Sequence, residues 1–456
     1  MAIIKNPITV VGGGGDVVNG VIERYKASTS TISANTFVEF VQTITSGVPK
    51  ALHTGNGGYI DVARLDASKV FVAYEVDSVL YGVVCTISGT TFSIGTRVQI
   101  ASDSTYLAYP NVCELSSKSV AVIYQLTSNT GPVKGNVCTI SGTTITVGTQ
   151  TSIATASYRH VKATTCSSTA VAVCYGKSSS NNSVVLQKVS ISGTTMTVGT
   201  AVSMGLGPTY GFSVAALSAT SFIFCGVYAG TSLAIKLVSA SDTTLTIEKE
   251  STNVGAPELD YPIGILPFDG SVVGIFLESG FNNQSKPNIQ RGVRCLLLNI
   301  ASTSEFSIMD YRPVYIDRAN HSFNNIPPAA ACKMFPGSTS KGIVSFLRGS
   351  GSVITLHAFT VELSNNTNLK VYESVGIRTH TTSAISNYAK QYGLAPMSNG
   401  TVFFGAFNNN GETGAKENGT VCTVNSAVQP SSAVVDGITK TECTTSTAGD
   451  VWVLNN

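Results

Sequence analysis

The sequence predicts an all-β fold: seven similar four-stranded units closing into a seven-bladed β-propeller, with a small β module formed by the N- and C-terminal segments. Three observations predict it. First, the stretch Val84–Thr96 (VCTISGTTFSIGT) returns as Val137–Thr149 (VCTISGTTITVGT) and again as Lys188–Thr200 (KVSISGTTMTVGT). The serine before the glycine stands at 88, 141 and 192, a period near 50 residues that marks a repeat architecture. Second, hydrophobic residues make up 43% and charged residues only 12%, with 43 glycines, which suits short strands joined by tight turns. Third, the units count to seven and the last is one strand short, so a closed ring must borrow that strand from its beginning.

The first unit sets the grammar. Ile60–Leu65 alternates and turns at Asp66-Ala67-Ser68. Lys69–Tyr74 is the second strand and Leu80–Ile87 the third. Ser88-Gly89-Thr90 turns the chain into the fourth, Phe92–Ile100. Later units start near Tyr109, Tyr158, Tyr210, Tyr261 and Ile326. The fifth ends in Leu296–Ile300 and Glu305–Ile308, and the sixth holds Ile354–Leu363 and Leu369–Val375. The seventh, from Tyr392 to about Val424, has three strands (Leu394–Met397, Thr401–Phe407, Thr420–Val424). Either Phe37–Ile44 or Gln42–Leu52 is expected to complete it. An open β-solenoid is the alternative, disfavoured because each unit carries its own two hairpins. The expected division is residues 1–35 as an N-terminal segment, 36–428 as the propeller, and 429–456 completing the small module with the N-terminal piece.

Bulk properties exclude several roles. A net charge of +2 gives no field for nucleic acid or an anionic membrane. No apolar run is long enough to span a bilayer, and the start, Met1–Pro7, lacks a signal-peptide pattern, so synthesis in a cytoplasm is expected. Ten cysteines could suggest disulfides, but Cys85 and Cys138 hold the same position in successive units. A whole unit separates them, too far for a bond, and reduced thiols acting as small apolar strand residues are expected.

No catalytic pattern emerges. There is no Gly-x-Ser-x-Gly elbow, and Gly12–Gly15 lacks the Lys-Ser/Thr of a phosphate loop. His53, His160, His321, His357 and His380 are scattered without ligand spacing, so neither metal nor cofactor is expected. Loop lengths are more informative. Turns between first and second and between third and fourth strands are short. Those between second and third strands and between units are long: Ser128–Asn136, Lys177–Ser183, Gly280–Gly292, Asp310–Pro328, Asn408–Gly419. Variable polar loops on a rigid scaffold are where recognition occurs. The candidate binding residues on that face are the unit-starting tyrosines Tyr109, Tyr158, Tyr210 and Tyr261 and the polar cluster Arg312, Tyr315, Asp317, Arg318 and His321. The structural reading of the tyrosines is that they wedge between blades with their hydroxyls paired.

The unit pattern, Tyr-x-x-Val-x-x-Leu followed by Val-Phe-Val-Ala-Tyr and then Tyr-Gly-x-Val-Cys-Thr-Ile-Ser-Gly-Thr-Thr, resembles a repeat in proteins of tailed bacteriophages and prophages of Gram-positive bacteria. Thr31–Phe40 resembles a phage signature of the sense T-I-x-A-G-D-F-V-E-F, with Asn35-Thr36 where Gly-Asp is usual. Asp436–Thr441 with Ser446–Val453 resembles its partner. The resemblance implies a virion structural protein, made in a host bacterial cytoplasm and displayed as a head decoration or head fibre. In that role the terminal module attaches to other virion proteins and a non-enzymatic propeller faces outward for glycan or host-surface adhesion, with trimers expected. A tail-fibre or baseplate receptor-binding protein is the alternative mount, and a polysaccharide-degrading enzyme the alternative of another class.

Overall fold

The computed structural model describes residues 20–25, 37–53, 57–102, 107–126, 131–177, 183–205, 211–228, 232–242, 244–254, 261–269, 271–279, 292–301, 306–316, 331–350, 353–364, 368–372, 375–381, 393–397, 400–408, 416–430, 437–439 and 449–454. The chain divides into two compact units. The larger holds 46–358 and 376–423, the smaller 1–45, 359–375 and 424–456.

The larger unit is a seven-bladed β-propeller. Its innermost strands are Gly57–Arg64, Leu107–Ser116, the second half of Thr151–Ser167, Phe212–Ser218, Tyr261–Pro267, Ala331–Met334 and Gly393–Pro396. Each lies beside the next, and the seventh lies beside the first, so the ring closes. Blade 1 shows the local logic. Gly57–Arg64 pairs with Lys69–Val76, which pairs with Val79–Ser88, all antiparallel. The cores lie in the seams between blades: Phe71, Ala73 and Val84 of blade 1 pack against Val112, Val120, Val122 and Tyr124 of blade 2.

The repeated turns explain the repeated letters. At the first turn of blades 1 to 4, an oxygen-bearing side chain accepts from the amide two residues on: Asp66 from Ser68 at 2.7 Å, Ser116 from Lys118 at 3.1 Å, Ser167 from Thr169 and Ser218 from Thr220 at 3.2 Å. In the Ser-Gly-Thr turn, Gly89, Gly142 and Gly193 take φ of 59°, 66° and 60°, the left-handed region that a Cβ disfavours. Blade 4 uses Asp242 there, φ 49°.

The fourth strand differs from the single run expected. It is two short pieces, Thr91–Ile94 and Val98–Ser102, both paired to Val79–Ser88. The break falls at Gly95, whose amide donates to the Val84 carbonyl at 2.9 Å. A Cβ on Gly95 would lie 3.2 Å from the Thr143 Cβ of the next blade's turn, and one on Gly148 would lie 2.7 Å from the Thr194 Cβ. The strand breaks where neighbouring blades touch.

Ring closure follows the same rule. In blade 7, Val421-Cys422-Thr423 stands where Val84-Cys85-Thr86 stands in blade 1. The Gly47 amide donates to the Val421 carbonyl at 2.8 Å, and Lys50 and Ala51 pair with Gly419 and Asn418. The early segment around Gly47 therefore fills the fourth-strand place of the last blade. This corresponds to the Gln42–Leu52 choice.

Two further boundaries differ from expectation. The fourth strand of blade 5 is Ser307–Ile316, so Asp310, Arg312 and Tyr315 belong to a strand, opposite Leu297, Cys295 and Val293, and not to an inter-unit loop. In blade 1 the turn between second and third strands is only Asp77-Ser78, with φ of 50° and 66°, braced by Ser78 N donating to Glu75 Oε1 at 2.7 Å.

In the smaller unit, Gly20–Tyr25 pairs with Gly449–Leu454, which pairs with Gly437–Thr439, which in turn pairs with the start of Phe37–Ser46. This unit also contains the hairpin Val361–Ser364 with Asn368–Val371, braced by the Tyr372 hydroxyl on Glu362 at 3.0 Å.

Candidate functional site

The inner strands begin at the long-loop end of the ring, and three aromatic rings stand there in a row. Tyr59 of blade 1 lies 4.9 Å from Tyr109 of blade 2, which lies 5.0 Å from His160 of blade 3 (centroid distances). Tyr59 is buried at 2% exposure and wedges between blades; Tyr109 and His160 are half-buried. Tyr109 and His160 have φ of 54° and 50°, left-handed for residues with a Cβ, each beside a shift in strand register. Non-glycine residues held there by tertiary structure gather at functional sites.

Two residues further along each strand lies a polar clasp. The Asp61 carboxylate accepts from the Val112 amide of blade 2 at 2.7 Å. Asn111 does the same one blade on, donating to the Val161 carbonyl at 3.0 Å and accepting from the Ala163 amide at 3.2 Å. Blade 7 carries Gly393 at the corresponding place, because a Cβ there would lie 2.5 Å from the Val62 nitrogen and 2.7 Å from Asp61 Oδ1.

Around the clasp gathers a set of charges. Lys333 of blade 6 donates to the Val62 carbonyl of blade 1 at 2.7 Å, and Arg64 meets Glu114 of blade 2 at 3.4 Å. Burial pushes the Asp61 carboxyl above its ordinary value, while Lys333, the Val112 and Val62 amides and Lys162 pull it back. Burial pushes Lys162 down, against the raising effect of Asp61. Glu114 is raised by burial against the pull of Arg64 and Lys333.

Of the residues expected from sequence to bind, Tyr109 stands in the aromatic row. Tyr158, Tyr261, Arg312 and Tyr315 are described only as backbone, in Thr151–Ser167, Tyr261–Pro267 and Ser307–Ile316. Tyr210, Asp317, Arg318 and His321 lie outside the described residues. In blade 3 the His160 ring lies beside Tyr109. The tyrosine pattern of the unit starts singled out Tyr158 and passed over His160, which sits at the same kind of register shift as Tyr109. The charge set was also missed, since its members come from four units. Only the spacing of Asp61 and Asn111, one repeat apart, hinted at it.

The second recurring tyrosine is structural. Tyr124 donates its hydroxyl to Asn136 at 2.8 Å, and Asn136 donates to the Gly148 carbonyl at 2.9 Å. One blade on, Tyr175 and Gln187 repeat the bond, with Gln187 donating to the Gly199 carbonyl. His357 lies in the strand Val353–Ser364, stacked 5.5 Å from Phe346. Cys85 and Cys138 are free, buried thiols, pushed up to about 12 by burial. Among the described residues, no group of His, Cys, Asp and Glu could hold a metal ion, and no helix is long and apolar enough to cross a membrane.

No protein-family model and no curated protein matches the sequence. Solved structures with similarity include a six-bladed propeller, the fucose-recognising lectin of Aleuria aurantia, at 10% identity and TM-score 0.42 over 72% of this chain and 97% of that one. A Lactobacillus plantarum protein is 11% identical, TM-score 0.43, over 77% and 98%. An ulvan lyase bound to a GlcA–Rha3S saccharide is 10% identical, TM-score 0.47, over 81% and 95%. Similarities at this level carry no argument about ligand or activity here.

Proposed function

We propose that this chain is a non-enzymatic adhesion protein of a bacteriophage particle, held by its terminal strands and presenting the propeller to a host-surface or environmental glycan. The observation that carries the reading is the pairing of the two flanks. Phe37 and Val38, in the first phage-like signature, lie opposite Ile438 and Gly437, in the second, and Thr439 lies opposite Val451. Two motifs about 400 residues apart are partners in one sheet, as one attachment element would require.

The ligand side of the reading rests on the half-buried aromatic pair Tyr109–His160 at the ring's long-loop end, since aromatic faces stack on sugar rings. A hydrolytic role is disfavoured by the axial carboxylates. Asp61 is engaged by the Val112 amide and Glu114 by Arg64, which commits both carboxylates to holding neighbouring blades together. Asp310, in an outer strand, is not part of the axial set.

Weak single-site binding would be multiplied by copy number on a particle. Beads densely coated with the full chain should be retained on at least one class of a bacterial-glycan array; no retention on any glycan would leave a purely structural role. Antibody labelling of intact particles in negative stain should decorate the head. Label at the tail tip would move the mount to a tail fibre or baseplate, and unlabelled particles would end the virion reading.

A further inference from the structure

The fourth strand of blade 7 is held differently from its counterparts. In blades 1 to 3 the fourth strand begins directly after its own third strand, through a Ser-Gly-Thr hairpin: Thr91–Ile94, Thr144–Val147 and Thr195–Val198. In blade 7 the place is taken by a strap, Ser46 to His53, from the other end of the array. The Gly47 amide reaches the Val421 carbonyl at 2.8 Å, Lys50 and Ala51 pair with Gly419 and Asn418, and the Cys422 thiol donates to the Ser46 hydroxyl at 3.5 Å. No hairpin returns this strap to blade 7 once it leaves, so its position depends on its other neighbour.

That neighbour is blade 1. Gly47 sits against the Thr90 carbonyl, and Lys50 Nζ lies 6.0 Å from the Phe92 ring centroid. His53, buried at 6% exposure, stacks on Tyr74 with centroids 5.2 Å apart and planes 8° from parallel. Blade 1 differs from its neighbours where it receives that ring. In blades 2 and 3, Tyr124 and Tyr175 donate to Asn136 and Gln187, which stand opposite Val122 and Val173 on the third strand. The same place in blade 1, opposite Val72, is Val83, whose side chain accepts no hydrogen bond. The tyrosine that braces blades 2 and 3 from within is in blade 1 a platform for the strap.

We infer that the His53–Tyr74 stack is the latch of the ring: it holds the strap on blade 1 in position to cover blade 7, and the joint between strap and blade 7 opens as a local unit before the rest of the propeller. The inference is independent of what the propeller binds.

The chain carries its own reporters. Cys422 of blade 7 and Cys138 of blade 2 hold the same repeat position as free, fully buried thiols. Cys138 lies opposite Val147 of a hairpin-linked strand, whereas Cys422 is covered by the strap. Alkylation of the native full chain, read site by site by mass spectrometry, should label Cys422 at least tenfold faster than Cys138. His53→Ala should raise the Cys422 rate about tenfold further and leave Cys138 within twofold, while His53→Phe, which keeps a flat ring on Tyr74, stays near wild type. Equal rates at the two thiols in the wild type overturn the separate opening. An unchanged Cys422 rate in His53→Ala, or a parallel rise at both thiols, overturns the latch. Should His53→Ala lack a native melting transition, the wild type in low urea decides. A local opening exposes less surface than global unfolding, so Cys422 labelling must climb less steeply with urea than Cys138 labelling, and equal slopes overturn the inference.

Discussion

At the scale of the residue, Asp61 shows how one side chain can serve packing and electrostatics at once. Its carboxylate holds blade 2 through the Val112 amide, yet burial makes its charge costly. The folded value is raised above the ordinary 3.8. The native state therefore takes up a proton before the unfolded chain does, and the cost of this group is relieved as pH falls through the raised value. Asn111 performs the same clasp one blade on without a charge, so Asp61→Asn is a shape-conserving probe. Urea unfolding from pH 7 down to pH 4 should show wild-type stability rising relative to Asp61→Asn. The opposite slope would mean that Lys333 and Lys162 outweigh burial. Asp61 and Asn111 could be aligned in the sequence as repeat positions, but their bond partners could not, because each reaches into the following blade.

At the scale of the element, the hairpin grammar was legible because each turn needs a particular residue. A left-handed glycine in Ser-Gly-Thr and a hydrogen-bonding Asp or Ser at the first turn are local demands, met within a few residues. Less legible was the break of the fourth strand at Gly95 and Gly148, which answers to contact with the next blade. The strand Ser307–Ile316 was missed over most of its length for a similar reason. Tyr311, Arg312 and Pro313 read as loop chemistry, and only pairing with Gly292–Asn299 makes a strand of them. Within a blade, the tyrosine–amide link should be worth what a buried neutral hydrogen bond is worth. Tyr124→Phe removes the hydroxyl that Asn136 and Gln150 share and should cost about 1–2 kcal/mol in urea unfolding. An unchanged midpoint would mean that water replaces the hydroxyl without loss.

At the scale of the whole molecule, closure of the ring is the critical event. The first blade is joined to the last through a segment from the beginning of the chain, and the seam is tight: a Cβ on Gly47 would lie 1.9 Å from the Thr90 carbonyl oxygen. The nearest atoms around it all belong to backbone, so no neighbouring side chain can yield. Gly47→Ala should therefore destabilise the propeller by about 3 kcal/mol, at the upper end for overpacking. Gly89→Ala, whose Cβ would meet nothing within 4 Å, should cost only the left-handed backbone penalty of about 1–2 kcal/mol. Differential scanning calorimetry of the two variants separates closure from turn strain; equal losses would show that the seam relaxes.

The sequence by itself determined the all-β class, the four-strand unit, the count of seven and the need for a borrowed strand. These depend on periodicity and turn chemistry, which act over a few neighbouring residues and repeat along the chain. Only the tertiary structure decided that the segment around Gly47 closes blade 7, that His160 stands beside Tyr109, and that Lys333 of blade 6 reaches the Val62 carbonyl next to Asp61. Those outcomes depend on which blade lies next to which and on single-residue register shifts. Contacts between residues 50 to 376 positions apart leave no local trace to read.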